Sequence, residues 1–380
     1  MTGGINIRNT VIQSLSAVGA TQEAQFYAEL FASQDPERFA LIVLDPRCLK
    51  NPLLESLVSN LRILADLKLT PVLLVGALDS DTTSIKFQTQ RLTKAIEAVG
   101  VRATRLNTAS YGLIDEVRKR CHTQYIPVLE ISDRPKSLNL EKIASALSPA
   151  KTIFLQPSGG LSRNGKRVPV ISFDEIETLA DSMTITPGQK LFLENAQALE
   201  KTGKAGGVFV IASPLNLLAE LFTTKGSGTL LRRNITIKKI SNFQSCDKLK
   251  LRKSMEAAFE KPLKEDYLSR PIHSGYLEKN YGGGAIFIEL AGLKYLSKFW
   301  VSKEVRGEGI ARDIWADAMK DVPDFFWRSR MGNPFNDWYM RACEGMQVSG
   351  DWRVFWKGLN APEVPGAIIA AASAPDDFNT

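Results

Sequence analysis

A glycine-containing segment between a strand and a helix is the clearest place in the sequence where residue types and spacing could do chemistry. It reads Arg306-Gly307-Glu308-Gly309-Ile310-Ala311 and follows the apolar run KFWV. Glycines let the backbone turn tightly, and successive N–H groups that open a helix make a positively polarised concavity for a pyrophosphate. Arg306 and Arg312 would add charge. A plain turn at an element boundary explains the glycines equally well, so the segment alone leaves both interpretations open.

The reactive side chains elsewhere argue against several kinds of site. The chain has only two histidines, His122 and His273, which removes most routes to a histidine-based triad or metal centre. Its four cysteines are widely spaced and form no CxxC pair, so we expect neither a metal nor a disulfide framework. This cysteine usage fits the reducing cytoplasm, which is the predicted location.

Length, charge and hydropathy narrow the class of protein further. A chain of 380 residues can bury two cores, and 44% hydrophobic with 23% charged residues is typical of globular proteins. The net charge is +7, but lysines and arginines are scattered among similar numbers of acidic residues. We therefore expect anionic small molecules rather than nucleic acid as partners. No apolar run reaches the roughly 18 residues of a membrane span, so we expect no membrane partner.

The first half of the chain alternates short apolar runs with amphipathic helices. A predicted helix over residues 6–32 carries an apolar face that could pack on a neighbouring subunit, which favours a homo-oligomer, a dimer or a tetramer. From Phe39 the order is βαβα, which predicts a parallel sheet with helices on both faces. We assign this α/β domain to residues 1–233.

The pattern changes after Arg233. The second half predicts a strand over 235–240, a helix over 248–259, consecutive strands over 285–290 and 294–301, and a helix over 310–320. The strings DFFWRSR and WRVFWKGL predict further strands. We assign an α+β domain to residues 234–380, and expect the Pro-, Ala- and Ser-containing tail to lack regular structure.

The second half resembles a known family. The run RxGxGxA directly after a strand resembles the coenzyme A pyrophosphate loop of the GNAT acetyltransferases. The strings KYLSKFWVSKEVRGEGIARDIW, FFWRSRMGNPFNDWYM and WRVFWKGL resemble the acetyltransferase domain of vertebrate-type N-acetylglutamate synthases, including the bifunctional synthase/kinases of bacteria. The resemblance implies transfer of acetyl from acetyl-CoA to the amino group of L-glutamate, the first step of arginine biosynthesis.

The resemblance also implies roles for individual residues. It assigns Lys298, Arg328 and Asn333 to glutamate and places Tyr339 opposite the sulfur of coenzyme A. An Arg fork, a Lys charge and an Asn donor suit a ligand with two carboxylates, and a phenol could protonate the departing thiolate. Each of these four residues could instead have a structural role. The sequence does not identify the base that deprotonates the ammonium group of glutamate. The residues assigned to coenzyme A are Val301, Arg306, Gly307, Glu308, Gly309, Ile310, Ala311 and Arg312.

The first half resembles the acetylglutamate-kinase branch of the amino-acid-kinase family, through QFYAELF, RFALIV and LAELFTTKGSGTL. A kinase of this family carries a Lys and a Gly-Gly pair where this chain has Val43-Leu44-Asp45-Pro46, and the resemblance implies that Phe192 replaces a second Lys. We therefore predict an inactive kinase domain kept for regulation and oligomerisation. Its arginine-sensitive relatives imply an arginine site at Tyr27, Glu220 and Gly226, although a helix cap explains Gly226 equally well.

Three functions follow, in order of preference. The first is an N-acetylglutamate synthase, for which regulation by L-arginine is a further expectation. The second is a bifunctional enzyme or an acetylglutamate kinase, which would require ATP to bind despite the missing Lys and glycines. The third is a noncatalytic arginine-binding regulator, which would require the acetyltransferase site to be vestigial.

Overall fold

Two separate sheets organise the chain, whose structure is a computed structural model. It describes residues 21–77, 82–131, 136–176, 178, 185–202, 208–223, 226–302, 305 and 309–379. The chain divides into a first unit, Met1–Asn234, and a second unit, Ile235–Thr380. Within the described residues, no helix is long and apolar enough to cross a membrane. Of the helix predicted over residues 6–32, the described part is helical, and residues 6–20 lie outside the described residues.

The first unit is built on an eight-stranded sheet of order β3-β4-β2-β1-β5-β9-β10-β8, with β6 and β7 forming a separate hairpin. Neighbouring strands of the large sheet are parallel apart from β9 and β10. This confirms the predicted parallel-sheet α/β fold. The strands are β1 Leu41–Leu44, β2 Val72–Val75, β3 Ala103–Asn107, β4 Ile126–Glu130, β5 Lys151–Leu155, β6 Ser162–Arg163, β7 Lys166–Arg167, β8 Val170–Ser172, β9 Val208–Ala212 and β10 Thr229–Arg232.

Helices cover both faces of this sheet. The central strand shows why, because Ile42 and Leu44 belong to one buried apolar cluster and Leu41 and Val43 to another. A strand that is apolar on both sides needs cover on both sides, which parallel sheets obtain from their crossover helices. The described helices are α1 Thr21–Ala32, α2 Leu53–Asp66, α3 Thr82–Ala98, α4 Leu113–His122, α5 Lys136–Leu147, α6 Pro187–Thr202 and α7 Leu217–Phe222.

The second unit is built on a seven-stranded sheet of order β11-β12-β13-β14-β15-β17-β16. Neighbours are antiparallel apart from the parallel pair β14 and β15. This mixed sheet with its helices confirms the predicted α+β fold. The strands are β11 Ile237–Ile240, β12 Ser274–Glu278, β13 Gly283–Leu290, β14 Leu293–Val301, β15 Phe325–Arg330, β16 Gly345–Ser349 and β17 Trp352–Lys357.

The helices of this unit divide between the two faces of the sheet. They are α8 Lys248–Phe259, α9 Ile310–Asp321, α10 Asn336–Ala342 and α11 Val364–Ser373. α9 and α10 share an apolar cluster with Trp327. α11 packs in a cluster with Phe326. The expectation of an irregular tail is wrong for α11, because Ala367, Ile368 and Ala371 give this segment a buried apolar face.

Candidate active site

The sheet of the second unit opens between β14 and β15. In the described residues of these two strands, Tyr295 and Phe326 form the one register pair. β14 nevertheless continues to Val301 and β15 to Arg330. Beyond the register pair, the facing backbone N–H and C=O groups have no strand partner across the gap, so an extended ligand can supply their hydrogen bonds. The gap is therefore a built-in binding cleft.

The predicted coenzyme A loop lies between the end of β14 at Val301 and the start of α9 at Ile310. Arg306, Gly307 and Glu308 lie outside the described residues. Gly309 directly precedes the helix with φ 77°, a left-handed conformation that favours glycine. It has no side chain to cap the helix, so the first N–H groups of α9 can bind an anion. Ile310 is buried, whereas Ala311 and Arg312 are half-buried on the first turn.

A β-bulge in β14 lies beside the cleft. Ile286 pairs with Lys298, whereas the next residue, Phe287, pairs with Leu296. Ser297 is therefore the extra residue of a bulge, which bends the strand and reorients its side chains. Bulges are frequent next to active sites for this reason.

Lys298 is buried at this bulge and already has an anionic partner. Its Nζ donates to the carboxylate of Asp377 and to the carbonyl oxygen of Ser297, the latter at 3.1 Å. The ammonium also lies 5.0 Å from the centre of the Tyr267 ring. Burial lowers the pKa of Lys298, although the neighbouring Asp377 acts in the opposite direction.

Arg328 lies on β15 across the sheet and is held by carbonyl oxygens. Its Nη1 donates to Ala371 at 2.8 Å and to Ala374 at 2.7 Å, and its Nη2 donates to Pro375 at 3.2 Å. The guanidinium carbon lies 3.8 Å from the centre of the Trp352 ring, which holds the fork in one plane. The Arg328 guanidinium is thus held in one orientation, and the groups that accept its hydrogen bonds carry no charge.

Asn333 lies in the turn between β15 and α10. Its backbone N–H donates to Arg330 at 3.0 Å, and its Oδ1 accepts from the N–H of Phe335 at 2.9 Å. These bonds shape the turn in the manner usual for asparagine. The side-chain oxygen therefore has a structural task besides any contact with a ligand.

Tyr339 is buried in an aromatic cluster under α10. Its ring centre lies 5.7 Å from that of Trp327, 5.5 Å from that of Phe355 and 5.4 Å from that of Trp338. Burial raises the pKa of the phenol above its ordinary value of 10.0. The group therefore stays protonated near neutral pH and is able to donate a proton.

The structure brings some of the predicted residues together and separates others. Lys298 and Arg328 both contact the 371–377 segment. Tyr339 lies in the cluster of the opposite face, with Trp327. Side chains alternate along a strand, so Arg328 shares the face of Phe326 rather than that of Trp327. The guanidinium of Arg328 and the phenol of Tyr339 thus lie on opposite faces of the sheet.

Sequence reasoning missed three residues of this site: Arg270, Trp352 and Asp377. Arg270 donates to Asp377 at 2.8 Å and so belongs to the same carboxylate pocket as Lys298. These contacts join residues far apart in the chain, which no local pattern predicts. The only signal was the pair of aspartates, Asp376 and Asp377, after an apolar segment.

The strand ends of the first unit, where a kinase of this fold would hold phosphates, are filled by side chains. Asp45 accepts two hydrogen bonds from the Arg47 guanidinium, at 2.9 and 2.7 Å. The rings of Phe154 and Phe192 stack at 5.0 Å. A Cβ atom placed on Gly188, in the first turn of α6, would lie 3.6 Å from Asp45 and 3.7 Å from Phe154.

The residues predicted to bind arginine lie at the end of α7 and near α1. Oε2 of Glu220 accepts from the backbone N–H groups of residues 227–228, both at 2.8 Å. Its Oε1 lies 3.7 Å from Nζ of Lys151. Gly226 has φ 59°, and a Cβ there would approach Glu220 to 2.8 Å. Tyr27 is buried in the core.

Comparison with known proteins identifies the second unit. The family model described as "NAT, N-acetyltransferase, of N-acetylglutamate synthase" matches residues 236–373. The mitochondrial N-acetylglutamate synthase of Mus musculus is 35% identical over 250 residues, covering 62% of this chain and 46% of that protein. An acetylglutamate kinase of Xylella fastidiosa (strain 9a5c) is 28% identical over 401 residues, covering 90% of this chain and 95% of that protein.

A solved structure gives the same fold over nearly the whole chain. The N-acetylglutamate synthase of Neisseria gonorrhoeae, complexed with coenzyme A and N-acetyl-glutamate, has a TM-score of 0.52 and 15% identity. The match covers 88% of this chain and 99% of that one. The chain is thus an amino-acid N-acetyltransferase. Its second unit matches the acetyltransferase domain of the N-acetylglutamate synthases over residues 236–373, and its first unit has an amino-acid-kinase-like fold, as the resemblance predicted.

Proposed function

We propose that the chain transfers the acetyl group of acetyl-CoA to the amino group of L-glutamate. The observation that carries the proposal is the open cleft between β14 and β15, with Lys298 and Arg328 on the sheet face beside it. A thioester arm needs an extended channel with backbone hydrogen bonds, and a dicarboxylic amino acid needs fixed cations. The second unit has both.

Coenzyme A fits the cleft and the start of α9. Its pantetheine arm is extended and carries amides, so it can pair with the open edge of β14, which ends at Val301. Its pyrophosphate suits the N-terminus of α9, where Gly309 allows close approach, and where Ile310, Ala311 and Arg312 form the first turn. The loop residues Arg306, Gly307 and Glu308 remain predicted contacts of the same group.

Glutamate fits the cationic face of the sheet. The guanidinium of Arg328 can take one carboxylate bidentately, and Lys298 can take the other as a point charge. The amide nitrogen of Asn333 remains a predicted donor to the acceptor. The carbonyl partners of Arg328 carry no charge, so a carboxylate in their place would add the attraction between opposite charges.

The transfer is a direct displacement at the thioester carbonyl. The neutral amine attacks the carbonyl carbon, the C–N bond forms and the C–S bond breaks, and the thiolate leaves. The nitrogen releases a second proton to solvent as it becomes the amide, and solvent returns a proton to Tyr339 after it has protonated the thiolate. Tyr339 is predicted to protonate that thiolate from the opposite face of the sheet, and its raised pKa keeps the proton available. The proton that the ammonium must lose first passes to solvent or to a base that is not assigned.

We infer that the first unit does not transfer phosphate. The stacked rings of Phe154 and Phe192 and the Asp45–Arg47 pair occupy the strand ends, and Asp45 carries the same charge as a phosphate. Regulation by L-arginine and assembly into a homo-oligomer remain predictions for this unit. A guanidinium at Glu220 would have to bind Oε1 in competition with Lys151.

The test is the rate of coenzyme A release from acetyl-CoA as glutamate is varied. We expect Arg328→Ala to lower kcat/KM for glutamate about 100-fold, since charge-assisted hydrogen bonds contribute about 1.5–3 kcal/mol and 1.4 kcal/mol is a factor of ten. Arg91→Ala, which removes an exposed arginine of the first unit, should leave it unchanged. Glutamate-independent release, or equal rates in both variants, would contradict the proposal.

A further inference from the structure

The segment that follows α11, residues 374–379, is bound across the cationic face of the second unit. The N–H of Lys264 donates to the carbonyl of Asp377 at 2.9 Å, and the N–H of Asn379 donates to that of Pro262, also at 2.9 Å. The ring of Phe378 lies 4.9 Å from that of Phe259. The same ring lies 5.3 Å from the Lys298 ammonium. The segment is thus docked by two backbone hydrogen bonds, an aromatic contact and a cation–π contact.

The side chain of Asp377 fills a carboxylate pocket. Nη1 of Arg270 donates to its Oδ1 at 2.8 Å, Lys298 donates to its Oδ2, and the Ser297 hydroxyl lies 3.4 Å from the same oxygen. The Lys298 side chain is 7% exposed and that of Asp377 14%, so this pocket holds one carboxylate and little solvent. A glutamate carboxylate is the same functional group, so the two cannot occupy the pocket together.

The same stretch of chain also engages Arg328 and Arg330. Of the three carbonyls that Arg328 contacts, those of Ala374 and Pro375 belong to the segment and that of Ala371 belongs to α11. Nη2 of Arg330 lies 3.5 Å from Oδ2 of Asp376. Both cations that the proposed function assigns to glutamate, Lys298 and Arg328, are therefore covered by one continuous segment.

The charges favour exchange of this segment over a permanent structural role. Lys298 and Arg270 face Asp377, and Arg330 faces Asp376. Arg270 also pairs with Asp266 and Arg330 with Asp351, which lie outside the segment. The hydrogen bonds of Arg328 go to neutral carbonyl oxygens. A dicarboxylate that took Lys298 and Arg328 together would give each a charged partner, which the segment does not. The segment's backbone hydrogen bonds are few and its Phe378 is half-buried, so its release breaks little of the core.

We propose that residues 374–379 act as an internal competitor of the acceptor: Asp377 occupies a carboxylate pocket made by Lys298 and Arg270, and the segment must leave before glutamate binds. The inference adds Arg270 to the residues that determine acceptor binding. It rests on the proposed function, because it takes Lys298 and Arg328 to be the acceptor's cations.

The competition has a definite kinetic signature. If the open form is about a tenth of the molecules, the apparent affinity for glutamate is about 10-fold weaker than the intrinsic one. Asp377→Asn keeps the shape of the side chain and removes its charge. It should lower the KM for glutamate up to about 10-fold, and leave the KM for acetyl-CoA unchanged. Phe378→Ala loosens the segment by removing its contact with Phe259, and it also removes the ring that lies 5.3 Å from the Lys298 ammonium. It should act in the same direction.

The experiment measures glutamate-dependent coenzyme A release by wild type, Asp377→Asn, Phe378→Ala and the control Asp351→Asn, with thermal melting of each. Asp351 is an exposed aspartate of the same unit, 3.8 Å from Arg330. Its variant should match wild type. A raised or unchanged KM for glutamate in both test variants, whether or not they melt earlier, would overturn the inference and make the Lys298–Asp377 pair structural.

Amide hydrogen exchange of the wild-type protein provides a readout independent of turnover. Glutamate should speed exchange of the Lys264 and Asn379 N–H groups, because both are bonded across the docked segment. Unchanged or slower exchange at saturating glutamate would contradict displacement. If the proposed function itself fails, no variant releases coenzyme A in response to glutamate, whereas failure of this inference alone leaves wild-type turnover intact.

Discussion

The strand ends of the first unit and the strand gap of the second are both places where a sheet can bind a ligand. Among the described residues, side chains cover the first place, whereas the strands part at the second. In the first unit Phe154 and Phe192 stack over the strand ends, and the Asp45 carboxylate is paired with Arg47. In the second unit β14 and β15 separate after Tyr295 and Phe326. The backbone of both sheets offers binding groups, and the side chains around them decide which sheet can use them.

The largest expected effect tests whether side chains fill the strand ends of the first unit. Phe192→Ala should lower the free energy of unfolding of this unit by about 3–5 kcal/mol, because Phe192 is 1% exposed and its loss leaves a cavity. Calorimetric melting measures the change. Phe87→Ala, which removes a 68% exposed ring, is the matched control and should cost little. A small cost for Phe192→Ala would mean that this ring lines an open site instead.

The next effect tests the phenol of the second unit. Tyr339→Phe keeps the aromatic packing and should lower kcat about 100-fold if proton donation to the thiolate contributes as general acids usually do. Because burial raises the Tyr339 pKa above 10.0, wild-type kcat should show no alkaline decline from this group below pH 10.0. Steady-state kcat values of wild type and variant, measured from about pH 6 to about pH 10, give both the loss of kcat and the shape of the pH profile.

The control for this variant is Tyr276→Phe. Tyr276 is also buried and belongs to the same apolar cluster, but its hydroxyl donates to Asp321, the last residue of α9, at 2.9 Å. Its loss should reduce stability slightly and leave kcat near the wild-type value. Equal kcat values for Tyr339→Phe and wild type would make Tyr339 a structural residue of the aromatic cluster.

The smallest effect tests the opening of α9. Gly309→Ala forces a side chain into the left-handed region, at a cost of about 1–2 kcal/mol, and should raise the KM for acetyl-CoA several-fold with kcat little changed. Gly292→Ala is the matched control, since Gly292 has φ 74° in a turn with nothing within 4 Å. Equal KM values for acetyl-CoA in the two variants would mean that Gly309 is not part of the coenzyme A site.

The sequence predicted the elements with regular patterns and missed those built by distant partners. The helix expected over residues 310–320 is α9, Ile310–Asp321, because its apolar spacing and its glycine boundary are local signals. β12, with Ser274 and Gly275, carries weak strand signals and gains its order from pairing with β11 and β13. Such pairing is not visible in one segment.

The candidate site shows the same division. Lys298, Arg328 and Tyr339 could be named because they lie in unusual strings, and their roles remain predictions. The Asp377 carboxylate in contact with Lys298 could not, since the two residues are 79 positions apart. A lysine's partner depends on how the chain returns across the sheet, which neither residue type nor spacing encodes.

The most direct test of the comparison is amide hydrogen exchange of the whole protein with coenzyme A and, in a separate sample, with ATP. The account predicts that coenzyme A slows exchange along β14, residues 296–301, and at the start of α9, whereas ATP changes nothing at residues 41–49 or 187–193. Protection of those first-unit residues by ATP, or no protection of β14 by coenzyme A, would contradict it.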